Sequence, residues 1–162
     1  MSNYKQKKYH SKQEALEKLK HYCAYQDRCH SEVKYKLIEL GIRGDDIDDI
    51  TIDLLQGDYL NEERFARSFA RGKFLMKRWG KNKIKIKLRE KQVSSFCIEK
   101  GLTEIKDVDY SKTLSQVIAT KWHELRDKKF SQTKKQKVAA FAIQRGFESN
   151  LVWAVLKEYQ VK

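Results

Sequence analysis

The chain contains no proline and only seven glycines among its 162 residues. Proline interrupts a helix more strongly than any other residue, and glycine comes next. Their scarcity favours helices joined by short turns, so we expect an all-α fold. Hydrophobic residues make up 40% of the chain and charged residues 35%, which suits thin helical elements with much solvated surface rather than one large core.

Long hydrophobic runs are also missing from the sequence. Nowhere do about eighteen apolar residues follow one another, and the lysine-containing start has no apolar stretch, so we expect neither a membrane span nor a signal peptide. The three cysteines, Cys23, Cys29 and Cys97, are odd in number and unevenly spaced. This pattern argues against a disulfide framework and fits a reducing compartment. We therefore expect a cytoplasmic protein with no membrane partner.

The sequence carries no local signature of catalysis or of metal binding. It has no glycine-rich phosphate loop, no recognisable catalytic triad motif and no alternating acidic calcium loop. His21, Cys23, Cys29 and His30 lie near one another, but their spacing does not match a zinc site, and Cys23 is better interpreted as a small buried hydrophobe. The sequence thus predicts a protein that is not an enzyme and uses no metal or cofactor.

The charge balance is strongly positive. Thirty-five Lys and Arg residues stand against 22 Asp and Glu residues, which gives a formal net charge of +13. A surplus of this size creates a positive field over much of a small protein, and soluble domains seldom need more than about eight net charges. A phosphate-rich partner is therefore the favoured interpretation, with solubility alone as the alternative.

One pattern of apolar positions occurs three times, at intervals of about fifty residues. Each copy places apolar residues on one side of two helices separated by a turn. The anchors are Val33, Leu37, Gly41, Ile42, Ile47 and Ile50 in the first copy; Ile84, Leu88, Gln92, Val93 and Ile98 in the second; and Val138, Ala142, Gly146, Phe147, Val152 and Val155 in the third. A further helical stretch precedes each copy, so each unit is expected to have three helices.

This period divides the chain into an N-terminal tail at 1–10 and three-helix units at 11–59, 60–107 and 108–162. Units of this size bury little surface alone, so neighbouring units must stack into an elongated, curved array. The predicted fold is therefore all-α, with three tandem helix-turn-helix-like repeats.

Polar residues mark the expected starts of several helices. Ser11 and Asn61 are predicted N-caps, and Asp45 is predicted to cap a helix in the same way. The first helix of the third unit is expected to run from Tyr110 to about Lys128.

The most basic stretch runs from Asn61 to Lys91. Within it, Arg64, Arg67 and Arg71 fall at helical spacing on a side that differs from the apolar side. An arginine fork can hold two phosphate oxygens at once, and the lysines that follow add long-range attraction. An ordinary solvated helix face is the alternative. A second basic group, in the third unit, consists of Lys128, Lys129, Lys134, Lys135 and Lys137.

Two further features have open interpretations. Trp79, inside the basic stretch, could stack on an unpaired base or, more simply, pack between two units. The aspartates between Asp45 and Asp58 could form a docking face for a basic protein, or could favour the positive end of a helix dipole.

Two runs near the junction of the first and second units carry a specific motif. They are Gly57-Asp58-Tyr59-Leu60-Asn61-Glu62-Glu63-Arg64-Phe65-Ala66-Arg67-Ser68-Phe69 and Gly80-Lys81-Asn82-Lys83-Ile84. This motif resembles the signature of the RecX family of bacterial recombinase regulators. The resemblance extends over nearly the whole chain from Ser11, because that family too consists of three repeated three-helix units. Gln92 departs from the pattern, which usually has glycine before the apolar residue of the turn.

The resemblance implies a modulator of RecA, the recombinase that forms a helical filament on single-stranded DNA. Such a regulator lodges in or caps the filament and suppresses ATP hydrolysis and strand exchange, and so regulates DNA repair, recombination and the SOS response. We expect it to act as a monomer. Carried onto this sequence, the residues expected to face the filament are Arg64, Arg67, Arg71, Lys73, Lys77, Arg78, Lys81, Lys83 and Lys85.

A second hypothesis belongs to another functional class. The chain could be an autonomous helix-turn-helix-like protein whose basic helices contact naked duplex DNA directly. Affinity for bare DNA and its dependence on salt separate the two hypotheses. A nuclease is disfavoured, since it would need a metal cluster that the sequence does not indicate.

Overall fold

The computed structural model describes residues 9–125 and 132–159, and these ranges contain nine α-helices. The helices are α1 Lys12–Tyr25, α2 His30–Glu39, α3 Asp45–Gln56, α4 Glu62–Lys77, α5 Lys81–Glu90, α6 Ser95–Leu102, α7 Asp107–Glu124, α8 Gln132–Gln144 and α9 Ser149–Lys157. Neither described range contains a strand. The predicted all-α class is confirmed.

The helices associate in three consecutive groups. Within the described ranges, the helices that pack most closely against one another do so inside three groups, which are α1 to α3, α4 to α6 and α7 to α9. The division of the sequence into three-helix units is consistent with this grouping, and its boundaries at 59/60 and 107/108 remain our proposal. Among the described residues, none of the helices combines the length and the hydrophobicity that spanning a lipid bilayer requires.

The turn between the second and third helices of each unit has the same backbone geometry. Gly41, Gln92 and Gly146 all have positive φ angles, of 90°, 62° and 101°. The N–H of the following residue donates to a carbonyl five positions earlier in every case, with distances of 3.0, 3.1 and 3.2 Å. This hydrogen bond closes a helix that ends in a left-handed residue. The repeat predicted from apolar spacing therefore extends to the backbone hydrogen bonds.

Gln92 occupies the left-handed position that the other two turns fill with glycine, so we expect Gln92→Gly to stabilise the protein. A residue with a side chain in the left-handed backbone conformation is strained by about 1 kcal/mol, and glycine removes this strain. The greater freedom of glycine in the unfolded chain offsets part of the resulting gain in stability. The exposed Gln92 side chain loses no core contact. Urea unfolding should show a gain of about 0.5 kcal/mol. Gln92→Ala keeps the strain and serves as the control; an equal gain for alanine would contradict this explanation.

The buried residues form two clusters. Within the described residues, the cluster of the first unit is separate, whereas the second and third units share one continuous cluster. Cys29, fully buried, belongs by sequence to the first unit but packs in the shared cluster. The first unit is thus attached to the second mainly at its α1–α2 loop, and the second and third units are joined through their cores.

Helix starts follow the predicted caps at two of three places. The Ser11 and Asn61 side chains accept hydrogen bonds from the N–H groups of Glu14 and Arg64, as predicted. The prediction for Asp45 is wrong: Gly44 is the N-cap of α3, with no capping side chain, and Asp45 is the first helical residue. Its carboxylate still lies in the first turn, where it favours the helix dipole.

The first helix of the third unit differs from its predicted span. α7 begins at Asp107, three residues before Tyr110, and ends at Glu124. Two aspartates in its first turn favour the early start. The predicted basic residues Lys128 and Lys129 lie outside the described residues.

Candidate nucleic-acid interface

The nine basic residues predicted to form the site lie on α4, on the turn that follows it and on α5. Their spacing brings them onto one unit, but the structure divides them into two kinds. Five have carboxylate partners within the protein, and four have none among the described residues. This difference decides which of them are available to a phosphate ligand.

Arg64 connects the first unit to the second. Its Nε donates to Asp27 Oδ1 at 2.9 Å, and its Nη1 donates to Asp58 Oδ1 at 3.1 Å. The hydroxyl of Ser68 donates to the other oxygen of Asp27 at 2.7 Å. The pKa of the Arg64 guanidinium is raised, chiefly by the hydrogen bond to Asp27. Arg64 is therefore already used in holding the α1–α2 loop against α4.

Arg67 and Arg71 are paired with acidic groups of their own unit. Arg67 donates to Glu63 at 2.9 Å and to Glu104 at 2.8 Å. Arg71 is more exposed and approaches the other oxygen of Glu104 at 3.7 Å. Arg64, Arg67 and Arg71 do line one shallow depression of about 360 Å³, as the helical spacing predicts. Because Glu63 and Glu104 line it too, much of its positive charge is neutralised internally.

Lys81 and Lys85 are also paired, more loosely. The Lys81 ammonium lies 3.5 Å from Asp107, and the Lys85 ammonium lies 3.6 Å from Glu99. Both acids are largely solvent-exposed. Ion pairs of this kind contribute little stability and are screened by salt. A bound phosphate could compete with them more easily than with the bonds of Arg64 or Arg67.

The four remaining residues surround Trp79, and we call them, together with that tryptophan, the Trp79 cluster. They are Lys73, Lys77, Arg78 and Lys83. No carboxylate in the described part of the chain lies within 4.0 Å of any of these four cationic groups. Lys77 and Arg78 are exposed, and Lys73 and Lys83 are partly buried. This cluster is the part of the predicted site with unneutralised positive charge.

The backbone around Trp79 is fixed from both sides. Arg78 adopts the left-handed conformation (φ 53°, ψ 41°), and its N–H donates to Phe74 O at 3.0 Å. The Trp79 N–H donates to Lys73 O at 3.3 Å, and the Gly80 N–H donates to Arg145 O in the third unit at 2.8 Å. The cluster is therefore built on the junction of the second and third units, and not on one helix alone.

Close backbone contact holds that junction together. Asn82 N–H donates to Gly146 O at 3.0 Å, and a Cβ on Gly80 would lie 2.2 Å from the carbonyl carbon of Gly146. The buried Tyr110 hydroxyl accepts from Lys81 N–H and donates to Glu148. Burial, and then this bond to Glu148, raise the pKa of Tyr110 well above its usual range. These bonds fix where α5 begins relative to the third unit.

A groove runs beside α4 next to the cluster. It has a volume of about 460 Å³ and contains the apolar side chains of Phe65, Phe69 and Met76. Lys73 and Lys77 line the same groove, as do Asp27 and Glu32, whose charges are matched by Arg64 and Lys91. Within the described ranges, unpaired cationic groups and apolar surface therefore adjoin. Such a combination suits a single nucleic-acid strand, which offers both phosphates and unpaired bases.

A second polar connection joins the first two units beside this groove. Lys91 Nζ lies 3.1 Å from Glu32, and the Ser31 hydroxyl donates to Lys91 O at 2.9 Å. Burial works to raise the pKa of Glu32, but the Cys29 N–H and the Lys91 ammonium outweigh it, and the net shift is downward. Glu32 therefore remains ionised, and its charge is matched within the protein.

The predicted basic group of the third unit is only partly exposed among its described residues. Lys134 is buried, at 9% exposure, and its ammonium lies 4.3 Å from the centre of the Trp122 ring. Its long apolar stem is needed for packing. Lys135 is half-buried and Lys137 is exposed. Lys134 therefore contributes little to any surface that a ligand could reach.

The positive charge is concentrated away from the first unit. Residues 11–59 contain seven Lys and Arg against eleven Asp and Glu, whereas residues 60–107 contain fourteen against six. In the first unit, Lys12 pairs with Asp46 and Asp49 at 3.5 and 2.6 Å. Among the described residues, no group of three His, Cys, Asp or Glu side chains is placed to hold a metal ion.

Sequence reasoning missed two features of this site. The ion pairs of Arg64 and Arg67 join residues up to 37 positions apart, which helical spacing does not reveal. The assignment of Trp79 to the cluster depends on α5 folding back beside the end of α4. A usable signal did exist, since Lys73 and Lys83 flank Trp79 in a segment with few acidic residues.

The fold and the cationic site together define a tandem three-helix repeat protein with an exposed cluster of cationic side chains that have no carboxylate partner in the described ranges. Comparison with protein families specifies it further. The RecX second three-helix domain matches residues 61–102, and the RecX third three-helix domain matches residues 109–156. These two matches cover more than half of the chain, and the chain belongs to the RecX family.

Individual relatives agree with this assignment. The regulatory protein RecX of Lactobacillus johnsonii is 26% identical over 145 residues, which is 90% of this chain and 53% of that protein. The chain thus spans about half the length of this curated relative. The crystal structure of RecX from Lactobacillus salivarius superposes with a TM-score of 0.81 at 22% identity, over 91% of this chain and 95% of that one.

A second crystal structure, of a regulatory protein RecX, superposes with a TM-score of 0.79 at 19% identity, over 90% of this chain and 73% of that one. At these levels of identity the two structures establish the shared fold alone. The helical-repeat architecture predicted from the sequence is confirmed.

Proposed function

We propose that this protein binds the RecA recombinase and its filament on single-stranded DNA, and that it inhibits ATP hydrolysis and strand exchange there. Membership of a family of regulatory proteins supports a regulatory role. The observation that carries the proposal is the Trp79 cluster, in which four cationic groups without carboxylate partners in the described ranges sit on a rigid junction. Such a surface suits an assembly that displays phosphates.

The proposed action needs no bond-making step. Lys73, Lys77, Arg78 and Lys83 attract the phosphates, and Lys81 and Lys85 can join them by exchanging a weak ion pair for a phosphate. Arg64 and Arg67 would act indirectly, by fixing α4 against its neighbours. A regulator that contacts DNA and recombinase at the same filament position would hinder the conformational changes of the recombinase that accompany ATP hydrolysis. Regulation of DNA repair, recombination and the SOS response in the cytoplasm would follow.

Direct binding of naked DNA is the second candidate function, and the same cluster favours it. The two candidates differ in what limits inhibition. A protein that acts only by covering DNA would inhibit the recombinase in proportion to the DNA occupied. A protein that targets the filament would inhibit at concentrations that leave most naked DNA unoccupied.

The decisive test is a titration of the protein into ATP hydrolysis stimulated by single-stranded DNA, with the cognate RecA. Occupancy of the same DNA without RecA is measured in parallel by fluorescence anisotropy. We expect half-inhibition at or below equimolar protein and at least about tenfold below the concentration that half-saturates naked DNA, a preference of about 1.4 kcal/mol. Superimposable inhibition and occupancy curves would favour the second candidate. Unchanged hydrolysis at equimolar protein would contradict the main proposal.

A further inference from the structure

Two ammonium groups from different helices lie over one indole ring. Lys73 Nζ of α4 is 5.2 Å from the centroid of the Trp79 ring, and Lys83 Nζ of α5 is 4.6 Å from it. The two nitrogen atoms are therefore at most 9.8 Å apart, since both distances end at the same centroid. Lys73 also lies 5.4 Å from the Phe69 ring. Both ammonium groups are thus in contact with aromatic rings.

This arrangement is electrostatically costly without a ligand. Two like charges at such a distance repel each other, and no carboxylate in the described ranges lies within ion-pair distance of either. The negative faces of aromatic rings offset part of that repulsion. An anion within reach of both ammonium groups would remove the rest. The pair is therefore arranged for an anionic ligand.

The backbone that carries the ring and the two lysines is held before any ligand arrives. The backbone N–H of Trp79 donates to the backbone carbonyl of Lys73, at 3.3 Å. The Lys83 stem is in contact with the third unit, because a Cβ on Gly146 would lie only 2.4 Å from Lys83 Cβ. Trp79 packs against the shared core. Positions fixed in this way lose little conformational freedom on binding, which strengthens the interaction.

We propose that Trp79 is a positioning residue that holds Lys73 and Lys83 as a clip for the phosphates of a single nucleic-acid strand. The ring serves its own two lysines and is not a platform on which a base stacks. This inference rests on the proposed function, because it assigns the phosphate-binding part of the same surface. It predicts that Trp79 acts through charge placement, which depends on salt, whereas base stacking depends on salt only weakly.

The test compares Trp79→Leu, Trp79→Phe and the matched control Trp153→Leu in the full chain. Trp153 is half-buried against the same core, and no cation in the described ranges lies over its ring. The first readout is the salt dependence of binding to a fluorescein-labelled oligo(dT) strand between 50 and 200 mM salt. The second is the protein concentration that half-inhibits ATP hydrolysis on the RecA filament. Circular dichroism verifies helicity.

We expect Trp79→Leu to weaken strand binding at low salt about tenfold and to lower the salt slope by about 0.7 to 1.4, the contribution of one or two phosphate contacts. The half-inhibitory concentration should rise in parallel. Trp79→Phe, which retains an aromatic face, should restore most of both properties. Trp153→Leu should leave the slope unchanged even where it lowers the melting temperature.

Two outcomes would overturn the clip. Weaker binding with an unchanged slope would indicate base stacking. Full retention of slope and affinity in Trp79→Leu, while Lys73→Ala and Lys83→Ala both lose them, would show that the lysines act without the ring. In both cases the proposed function stands. If the two alanine variants also left strand binding and filament inhibition unchanged, the cluster itself would be excluded as the site.

Discussion

Gly80→Ala should uncouple the second and third units and lower the free energy of unfolding by about 3 kcal/mol, at the upper end of the costs of overpacking. A Cβ at this position would lie 2.2 Å from the Gly146 carbonyl carbon and 2.3 Å from Phe147 N. Both are backbone atoms, so no side-chain rotation relieves the clash. Gly80 itself has φ −73°, a value that alanine adopts readily. The cost therefore arises from contact between units and not from backbone conformation.

Urea unfolding followed by circular dichroism measures this effect. Separation of the units should also reduce the steepness of the transition, since the shared core would no longer unfold as one cooperative body. Gly72→Ala is the matched control: Gly72 lies inside α4, and a Cβ there would meet no other atom within 4 Å. That variant should gain up to about 1 kcal/mol from helix propensity. Equal behaviour of the two variants would contradict the close approach at Gly80.

The repeat could be predicted from the sequence because its determinants are local. Apolar anchors at fixed spacing define a helix, a turn and a helix, and the cap at Asn61 acts within four residues. Gln92 illustrates the limit of residue-type rules. A glutamine does not indicate a left-handed turn, yet it adopts φ 62° here because the apolar residues on both sides of the turn are buried in the core. Tertiary packing overrides the local preference at that position.

The candidate site could be predicted only as a region. Helical periodicity correctly places Arg64, Arg67 and Arg71 along one depression, but it gives no information about their partners. Asp27 and Glu104 reach the helix from opposite directions along the chain, and both distances in sequence are far beyond a helical turn. Pairing of this kind depends on how the units stack. Arginines that looked most suitable for phosphate are consequently those most occupied inside the protein.

The same reasoning changes which substitutions test the function cleanly. Reversing the charge of Arg64 would place a carboxylate beside Asp27 and Asp58 and would disturb the junction of the first two units. Any loss of inhibition would then have two explanations. Residues of the Trp79 cluster avoid this ambiguity, because no carboxylate in the described ranges forms an ion pair with them.

We therefore expect the triple variant Lys73→Glu, Lys77→Glu and Lys83→Glu to raise the half-inhibitory concentration for filament ATP hydrolysis about a hundredfold. Each substitution replaces attraction to phosphate by repulsion, and a few such contacts account for two orders of magnitude in affinity. Helicity should persist, since glutamate is a good helix former and the three side chains have no acidic partner to lose in the described part of the chain.

The matched control reverses three exposed lysines elsewhere, Lys18, Lys34 and Lys112, on α1, α2 and α7. Both triple variants have a formal net charge of +7 instead of +13, so their long-range attraction to DNA is reduced alike. Only the cluster variant removes charge from the junction of the second and third units. Inhibition lost equally in both variants would mean that net charge alone drives binding. If the cluster variant still inhibits, this surface is not part of the mechanism. If only the cluster variant loses inhibition, the phosphate contacts lie at Trp79 and its neighbours.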